Sequence, residues 1–311
     1  MTVTNLWPHR GAAAAERGTA ERVVIRVGTG AEPLRRPDTL AVEEPLELRI
    51  GGRSLAVTMR TPGADLDLAA GFLVSEGLIT GADDLVAMGY ATDGGEDEGG
   101  PTGGGDRGGE SGGDRANRCN VLDLTLGEGV APPNAAAARA FFTTSSCGLC
   151  GKAGIDTVRT RSAYEVRGDL LQVDAAMLTA LPGRLRAAQE VFERTGGLHA
   201  AALFDGSSGD LLVLREDVGR HNAVDKVIGW ALRERRLPLR GTILLVSGRA
   251  SFELAQKALM AGVPMLCAVS APSSLAVDLA VESGMTLIGF LRDPTMVIYS
   301  GAARVGAGEP A

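Results

Sequence analysis

Hydrophobic and polar positions alternate with two different periods along this chain. In residues 46–50 every second position is apolar, the pair Gly51-Gly52 follows, and the alternation resumes in residues 55–59. Period-two alternation on both sides of a glycine turn predicts an antiparallel β-hairpin. The next segment, DLDLAAGFLVSEGLI, has helical spacing, and we expect Asp65 to be its N-cap.

From Asp174 onward, apolar strands alternate with amphipathic helices. The predicted strands are LHAAALFD, LLVLRE, TILLVSG, VPMLCAVS, MTLIGFLR and VIYS, and the predicted helices are GRHNAVDKVIGWALRER, SFELAQKALMAG and SLAVDLAVESG. Continuous apolar strands between helices predict a largely parallel sheet that is covered on both faces. The sequence therefore predicts the α/β class, with a smaller β-rich portion before the α/β domain.

One glycine-rich segment interrupts the β-rich portion. Residues 93–114 contain 11 glycines in 22 positions and several acidic residues, so they cannot build a core. Strand alternation resumes in the following RCNVLDLTL, which indicates an insertion and not a domain boundary. We expect a disordered N-terminus at 1–22, a β-rich portion at 23–145, a mobile connection at 146–173, an α/β domain at 174–301 and a disordered tail at 302–311.

Composition narrows the class of protein. The chain has 311 residues, of which 45% are hydrophobic and 22% charged, as in ordinary globular proteins, and its net charge of −7 argues against a nucleic-acid partner. No apolar run is long enough to span a bilayer, and the first residues lack the apolar stretch of a secretory signal. We therefore expect a cytoplasmic protein with no membrane partner.

Two cysteines, Cys147 and Cys150, lie in the glycine-flanked stretch TTSSCGLCGKAG. A structural zinc site needs four ligands, and no second Cys-x-x-Cys pair exists, so we expect no zinc. The order of residues also fails the zinc-deaminase pattern. A redox dithiol and a sulfur carrier that forms a persulfide both remain open, and an exposed loop of small residues with Lys152 nearby suits the carrier. Cys119 and Cys267 lie in predicted strands and are expected in the core.

Polar strings follow the predicted strands of the α/β domain. In open α/β sheets ligands bind beyond the carboxyl ends of strands, where helix N-termini favour anions. Arg220 and Arg249 lie in these strings and suit phosphate. His199 and His221 fall at the same edge, and a structural hydrogen-bonding role and a ligand-binding role remain equally open for both.

Seven strings taken in order resemble the formate dehydrogenase accessory sulfurtransferase family, FdhD/NarQ. They are LAAGFLVSEGLI, SCGLCGK, TGGLHAAALF, EDVGRHNAVDKVIG, SGRASFELAQKALMAGVP, SAPSSLAV and GFLRDPTMVIYS. The resemblance spans about residues 35–300, without the acidic insertion. It implies a three-layer α/β/α domain of the cytidine-deaminase-like kind without the deaminase zinc ligands.

The resemblance also implies a function. Family members take sulfane sulfur from a cysteine desulfurase and pass it to the molybdenum bis(molybdopterin guanine dinucleotide) cofactor before it enters formate dehydrogenase. A homodimer is typical of the family. Cys147 matches the persulfide-bearing cysteine and Cys150 its partner, and residues 290–295 match the cofactor-binding stretch, which here is Phe290, Leu291, Arg292, Asp293, Pro294 and Thr295.

We add four residues from the strand-end strings as expected lining of the same pocket: Arg220, His221, Ser247 and Arg249. Two other classes of function remain open. One is a redox protein that uses a disulfide between the two cysteines. The other is a chaperone that binds the cofactor without transferring sulfur.

Overall fold

The computed structural model describes residues 18–91, 120–132 and 162–306. These residues form a mixed α/β protein, which confirms the predicted fold class. The acidic insertion at 93–114 lies outside the described residues, as do both cysteines of the Cys-x-x-Cys pair.

The N-terminal part contains a two-stranded ribbon and a four-stranded sheet. The sheet has the order β4-β3-β6-β5, with β3 and β6 parallel and the other neighbours antiparallel. The predicted hairpin around Gly51-Gly52 is confirmed as the β3–β4 pair. The strands are β1 Thr19–Arg26 and β2 Leu34–Ala41 in the ribbon, and β3 Glu44–Ile50, β4 Arg53–Arg60, β5 Leu85–Tyr90 and β6 Val121–Leu126 in the sheet.

Two local predictions in this part are wrong. The disordered N-terminus was expected to extend to residue 22, whereas β1 begins at Thr19 because it pairs in register with β2. Asp65 is not the N-cap of helix α1, Asp65–Ser75. Ala64 is the N-cap, and the Asp65 carboxylate instead accepts hydrogen bonds from the buried guanidinium of Arg60, at 3.2 and 2.9 Å.

The C-terminal part is built on a six-stranded sheet of order β13-β12-β11-β10-β8-β9. Its strands are β8 His199–Asp205, β9 Leu211–Asp217, β10 Thr242–Val246, β11 Met265–Ala268, β12 Thr286–Arg292 and β13 Thr295–Ser300. Only the β10–β11 and β11–β12 pairs are parallel, so the prediction of a largely parallel sheet is wrong. Hairpins join β8 to β9 and β12 to β13, and such strands are as apolar as parallel ones when both faces are covered.

Helices cover both faces of this sheet. On one face lie α4 Arg220–Arg233, α5 Phe252–Met260 and α6 Ser274–Ser283, together with α1 of the N-terminal part, around one large apolar core. On the other face α2, Ala175–Ala187, packs Leu178, Leu181 and Leu185 against the sheet in a second core, and the short α3, Glu190–Thr195, follows it.

Two boundaries of the α/β domain differ from the prediction. The expected tail at 302–311 is wrong for residues 302–306, which form a short 3-10 helix and strand β14, Val305–Gly306. This strand pairs with β7, Val173–Asp174. Residues 162–173, expected within the mobile connection, include the buried Val166 and Leu171 and therefore belong to the packed structure.

A glycine-to-glycine crossing joins the N-terminal part to the α/β domain. A Cβ on Gly71 of α1 would lie 1.8 Å from the carbonyl oxygen of Asp225, and a Cβ on Gly229 of α4 would lie 1.8 Å from that of Asp67. The two helix backbones are therefore in direct contact, which only glycine permits at both positions. In the part of the chain that the structure describes, no helix is both long and apolar enough to cross a membrane.

Candidate functional site

Polar residues meet at one end of the six-stranded sheet. His199 begins β8 opposite Asp217, the last residue of β9. The next residue, Ala200, exchanges two hydrogen bonds of 2.9 Å with Ser247, whose Oγ and backbone N–H both take part. Because β8 is antiparallel to β10, the start of β8 lies beside the carboxyl end of β10. The N-termini of α4, α5 and α6 follow the carboxyl ends of β9, β10 and β11 at this end of the sheet. We call this strand-end region, which contains His199, Ser247 and the three helix N-termini, the polar edge.

His199 is half-buried at the centre of this edge. Burial lowers the pKa of His199 below its ordinary value, and the charges of Arg220 and His221 lower it further, while Asp217 opposes them. These effects favour the neutral imidazole. A neutral imidazole offers one donor and one acceptor to a ligand.

The first turns of α4 and α5 contribute a second cluster of polar side chains. Nε2 of His221 lies 2.6 Å from Oε2 of Glu253, although the N–H direction does not give a hydrogen bond. Nε of Arg220 and Oγ of Ser251 are buried and have no hydrogen-bond partner among the described residues. Ser251 is the N-cap of α5, so its helix end also lacks a side-chain cap. Donors at helix N-termini are suited to bind an anionic group.

The predicted cofactor-binding stretch divides into two kinds of residue. Phe290 has φ of 50° and is 39% exposed. Its N–H donates to the carbonyl of Ser270, and the N–H of Ser270 donates to the carbonyl of Gly248. Phe290 therefore stands at the rim of the polar edge. Leu291 is fully buried in the core, so its side chain is unavailable to a ligand. Residues 292–295 are exposed on the β12–β13 turn, and Arg249 is exposed beside Ser247.

Much of the string EDVGRHNAVDK serves to hold the fold together. The buried carboxylate of Asp217 lies 2.7 Å from Nζ of Lys226 and accepts hydrogen bonds from Asn222 and from the backbone of Thr61 and Gly219. Nζ of Lys226 also donates to the carbonyl of Thr61, at 2.8 Å. Because Thr61 belongs to the N-terminal part, this network joins the two parts and fixes the start of α4.

A second buried ion pair lies deeper between the same helices. Nζ of Lys257 is 2.8 Å from both carboxylate oxygens of Asp225, which also accepts a 2.6 Å hydrogen bond from Ser75 of α1. None of these residues was predicted to have a role from the sequence. Their only signal is that charged residues occupy the apolar side of predicted helices, and their partners are more than 30 residues away in sequence.

A cavity of about 530 Å³ opens beside His199 and Ser247, on the face of the sheet that carries α2 and α3. No sequence motif marks this cavity, because it is formed between helices and the end of the sheet. Its size is that of small-molecule sites in proteins. Its apolar walls are Pro182, Leu185, Phe192, Leu198 and Val269.

The Cys-x-x-Cys pair lies outside the described residues, and hydrogen bonds hold the described residues on either side of its segment. Ser162, the first described residue after the segment, donates to the carbonyl of Leu259 at the end of α5, at 2.8 Å. Before the segment, Gly127 donates to the carbonyl of Asp84, in the loop whose Thr80 accepts a hydrogen bond from Tyr164. Ser162 thus lies at the C-terminal end of α5, whereas Glu253 lies at its N-terminal end.

Among the described residues the cysteine is Cys267, and Cys119, like the Cys-x-x-Cys pair, lies outside them. Cys267 of β11 is fully buried, as predicted, and burial raises the pKa of its thiol. Within residues 18–91, 120–132 and 162–306, no group of three or more His, Cys, Asp and Glu side chains is arranged to hold a metal ion.

The fold defines a mixed α/β protein, and the polar edge at its strand ends is the candidate site. The chain belongs to the FdhD/NarQ family, whose model matches residues 41–306. The "sulfur carrier protein FdhD" of Mycolicibacterium paratuberculosis is 56% identical over 93% of this chain and 99% of its own. The protein of the same name from Streptomyces avermitilis is 54% identical over 93% of this chain and 96% of its own.

One solved structure supports the fold. A protein from Desulfotalea psychrophila, described as a formate dehydrogenase accessory protein, superposes with a TM-score of 0.67 over 92% of this chain and 99% of its own. Its sequence identity to this chain is 19%, so the likeness concerns the fold alone.

Proposed function

We propose that this chain is a cytoplasmic sulfur carrier required for formate dehydrogenase activity. The observation that carries the proposal is the identity of more than half over nearly the whole length to relatives named sulfur carrier proteins. Cys147 and Cys150 lie within the residues that the family model matches. The glycines next to the pair have no side chains that would obstruct the donor or the acceptor of the sulfur.

The first step is the capture of sulfur from a cysteine desulfurase. The Cys147 thiolate attacks the outer sulfur of the desulfurase persulfide, so one sulfur–sulfur bond breaks and another forms. The desulfurase cysteine leaves as a thiolate, and Cys147 carries the persulfide. The step is neutral in electrons and needs no further reactant.

The second step delivers the sulfur to molybdenum bis(molybdopterin guanine dinucleotide), which is the substrate. The Cys150 thiolate attacks Sγ of Cys147, the terminal sulfur leaves as sulfide, and the two cysteines form a disulfide. Cys150 thus supplies the two electrons that turn sulfane sulfur into sulfide. A cellular dithiol of the thioredoxin class then reduces the disulfide.

The polar edge of the sheet is the proposed binding site of this substrate. Arg220, Arg249 and the N-termini of α4 to α6 suit its phosphates, and the exposed ring of Phe290 stands at the rim. Cys147 is 15 residues from Pro132 and 15 from Ser162. Such a stretch can extend about 50 Å, which exceeds the length of about 13 Å for α5. A homodimer, typical of the family, is part of the proposal.

Complementation tests this function. A host that lacks its own family member is supplied with the wild type, Cys147→Ser, Cys150→Ser or Cys267→Ala, and formate dehydrogenase activity is assayed. We expect Cys147→Ser to give the activity of an empty vector, and Cys267→Ala, which changes a buried core thiol, to support activity. Wild-type activity with Cys147→Ser would refute the assignment.

A further inference from the structure

Four arginines lie close together where helix α4 ends. Residues 233–240, RERRLPLR, contain these four arginines and one glutamate, in a chain whose net charge is −7. Arg235, Arg236 and Arg240 are exposed, and Arg233 is partly exposed. We call the four residues the arginine patch. Positive charge concentrated on the surface of an acidic protein favours contact with a negatively charged partner.

The backbone at Arg235 shows that folding does not explain the patch. The N–H groups of Arg236 and Arg235 donate to the carbonyls of Ala231 and Leu232, which is the pattern of a helix end that glycine usually occupies. Arg235 adopts a positive φ of 54° there, which is strained for a residue with a side chain. Its side chain is 66% exposed and pairs with the exposed carboxylate of Asp83, a kind of contact that contributes little to stability. Folding alone therefore favours glycine at this position.

A tryptophan gives the arginine patch an apolar anchor. Trp230, in the last turn of α4, packs against the large core and is partly exposed. The guanidinium of Arg236 lies 5.3 Å from its ring centre. Tryptophan and arginine are enriched among the residues that contribute most to protein–protein binding. The carboxylates of Glu234 and Asp83 lie beside Arg233 and Arg235, so the surface suits the mixed side chains of a protein and not a continuous phosphate backbone.

The arginine patch contacts a loop that also holds both borders of the cysteine-bearing segment. This loop, residues 80–84, accepts hydrogen bonds from Arg235, Gly127 and Tyr164. Gly127 lies among the described residues just before the segment, and Tyr164 lies among those just after it. A protein bound to the patch is therefore held beside the two points where the segment joins the described structure.

We propose that the arginine patch docks the protein that donates sulfur to Cys147, through an acidic surface that borders the persulfide cysteine of the donor. This deepens the proposed function and rests on it. Of the two protein partners in that function, only the sulfur donor reacts with Cys147. Opposite charges on the two surfaces speed the encounter and orient the donor. The partly exposed Trp230 then supplies apolar contact at the centre of the patch.

Charge reversal tests the docking directly. Full-length wild type, Arg236→Glu and Arg53→Glu are passed over an immobilised cysteine desulfurase, and association rates are measured by surface plasmon resonance. Arg53 is an exposed residue at the β3–β4 turn, so Arg53→Glu is the control with the same change of charge. At low salt we expect Arg236→Glu to associate about 10-fold more slowly than the wild type, and Arg53→Glu to associate at the wild-type rate. The difference should shrink at high salt, because ions screen the attraction.

Arg235→Gly separates docking from folding. Glycine adopts the positive φ of this position without strain, so thermal unfolding of Arg235→Gly should occur at or above the wild-type temperature. The same variant should bind the desulfurase more weakly, because it lacks the charge. A lower unfolding temperature with unchanged binding would make Arg235 a structural residue and overturn the proposal.

Loading by a small sulfur donor distinguishes failure of the docking surface from failure of sulfur transfer. The Cys147 thiolate attacks inorganic polysulfide and a shorter polysulfide leaves, so the step is neutral in electrons. Arg236→Glu should gain sulfur from polysulfide as fast as the wild type does, and more slowly from the desulfurase. A wild type that binds the desulfurase through the patch but is loaded by neither donor would contradict the proposed function and leave the docking in place.

Three results would overturn the docking proposal. One is an equal association rate for Arg236→Glu and the wild type, and another is an equal loss in Arg53→Glu. The third is unchanged desulfurase binding by an Arg236→Glu variant that sediments as a monomer where the wild type sediments as a dimer, which would assign the patch to a second copy of the chain.

Discussion

Two regions of the α/β domain use buried polar groups in opposite ways. On the face of α4 and α5, the charges of Asp217, Lys226, Asp225 and Lys257 are paired and hydrogen-bonded. At the polar edge, by contrast, Nε of Arg220 and Oγ of Ser251 are buried without a hydrogen-bond partner among the described residues. Paired polarity fixes the N-terminal part on the domain, whereas unpaired polarity is available to a ligand.

Removal of one charge from the paired face should have the largest effect. Lys226→Met leaves the carboxylate of Asp217, which is fully buried, without its cation. The free energy of unfolding should fall by about 3–5 kcal/mol. Denaturant unfolding measures this loss.

The matched control is a surface pair. Asp83→Asn breaks the contact of 2.8 Å with Arg235, where both side chains are mostly exposed. Its midpoint of unfolding should equal that of the wild type. Equal stability of the wild type and Lys226→Met would show that the buried pair does not hold the two parts together.

The crossing of α1 and α4 predicts a somewhat smaller loss. Gly229→Ala places a Cβ 1.8 Å from the backbone oxygen of Asp67, so the two helices must separate. We expect a loss of about 2–3 kcal/mol in the free energy of unfolding, measured by denaturant.

Gly183→Ala is the control for this substitution. Gly183 lies within α2, and a Cβ there meets nothing within 4 Å. Its substitution should be neutral or should stabilise the protein by about 0.5–1 kcal/mol, since alanine is the better helix former. A similar loss in both variants would mean that the close approach of α1 and α4 is not required.

The smallest predicted change in the free energy of unfolding is its dependence on pH through His199. His199 has a folded-state pKa below its unfolded value, so the unfolded chain binds the proton first as the pH falls below about 6.5. The free energy of unfolding should therefore fall between that pH and the folded-state pKa, by at most about 1.4 kcal/mol per pH unit. Unfolding curves of the wild type and His199→Gln measure this slope.

In His199→Gln the free energy of unfolding should lack the part of this pH dependence that the His199 imidazole causes. Titration of the His199 ring by NMR gives a second readout, in which Arg220→Gln should raise its pKa because a neighbouring positive charge is removed. A His199 pKa above the value in the unfolded chain would contradict the neutral imidazole at the polar edge.

The sequence predicts most of the helices and strands, but not which buried polar groups are paired and which are unpaired. Period-two alternation located the β3–β4 hairpin, and the alternation of apolar strands with helices located the C-terminal elements. Strand direction was not predictable, because strands buried on both faces look alike whether they are parallel or antiparallel. The ribbon strand β1 was missed because its first residues continue the polar, alanine-rich N-terminus, although Val23 and Ile25 alternate within it and are both exposed.

The same limit applies to the site. Polar strings after the strands marked Arg220, His221 and Ser247, which lie at one sheet edge. The role of Lys226 depends on Thr61, 165 residues away, which no local pattern reveals. Leu291 was included because a matching stretch does not distinguish buried from exposed positions.

Intact-protein mass spectrometry tests the central claim most directly. Wild type, Cys147→Ser and Cys150→Ser are incubated with a cysteine desulfurase, pyridoxal phosphate and free cysteine. The account predicts a mass gain of one or more sulfur atoms in the wild type, reversed by reductant and lost in Cys147→Ser. No gain in the wild type, or an equal gain in Cys147→Ser, would contradict sulfur transfer through Cys147.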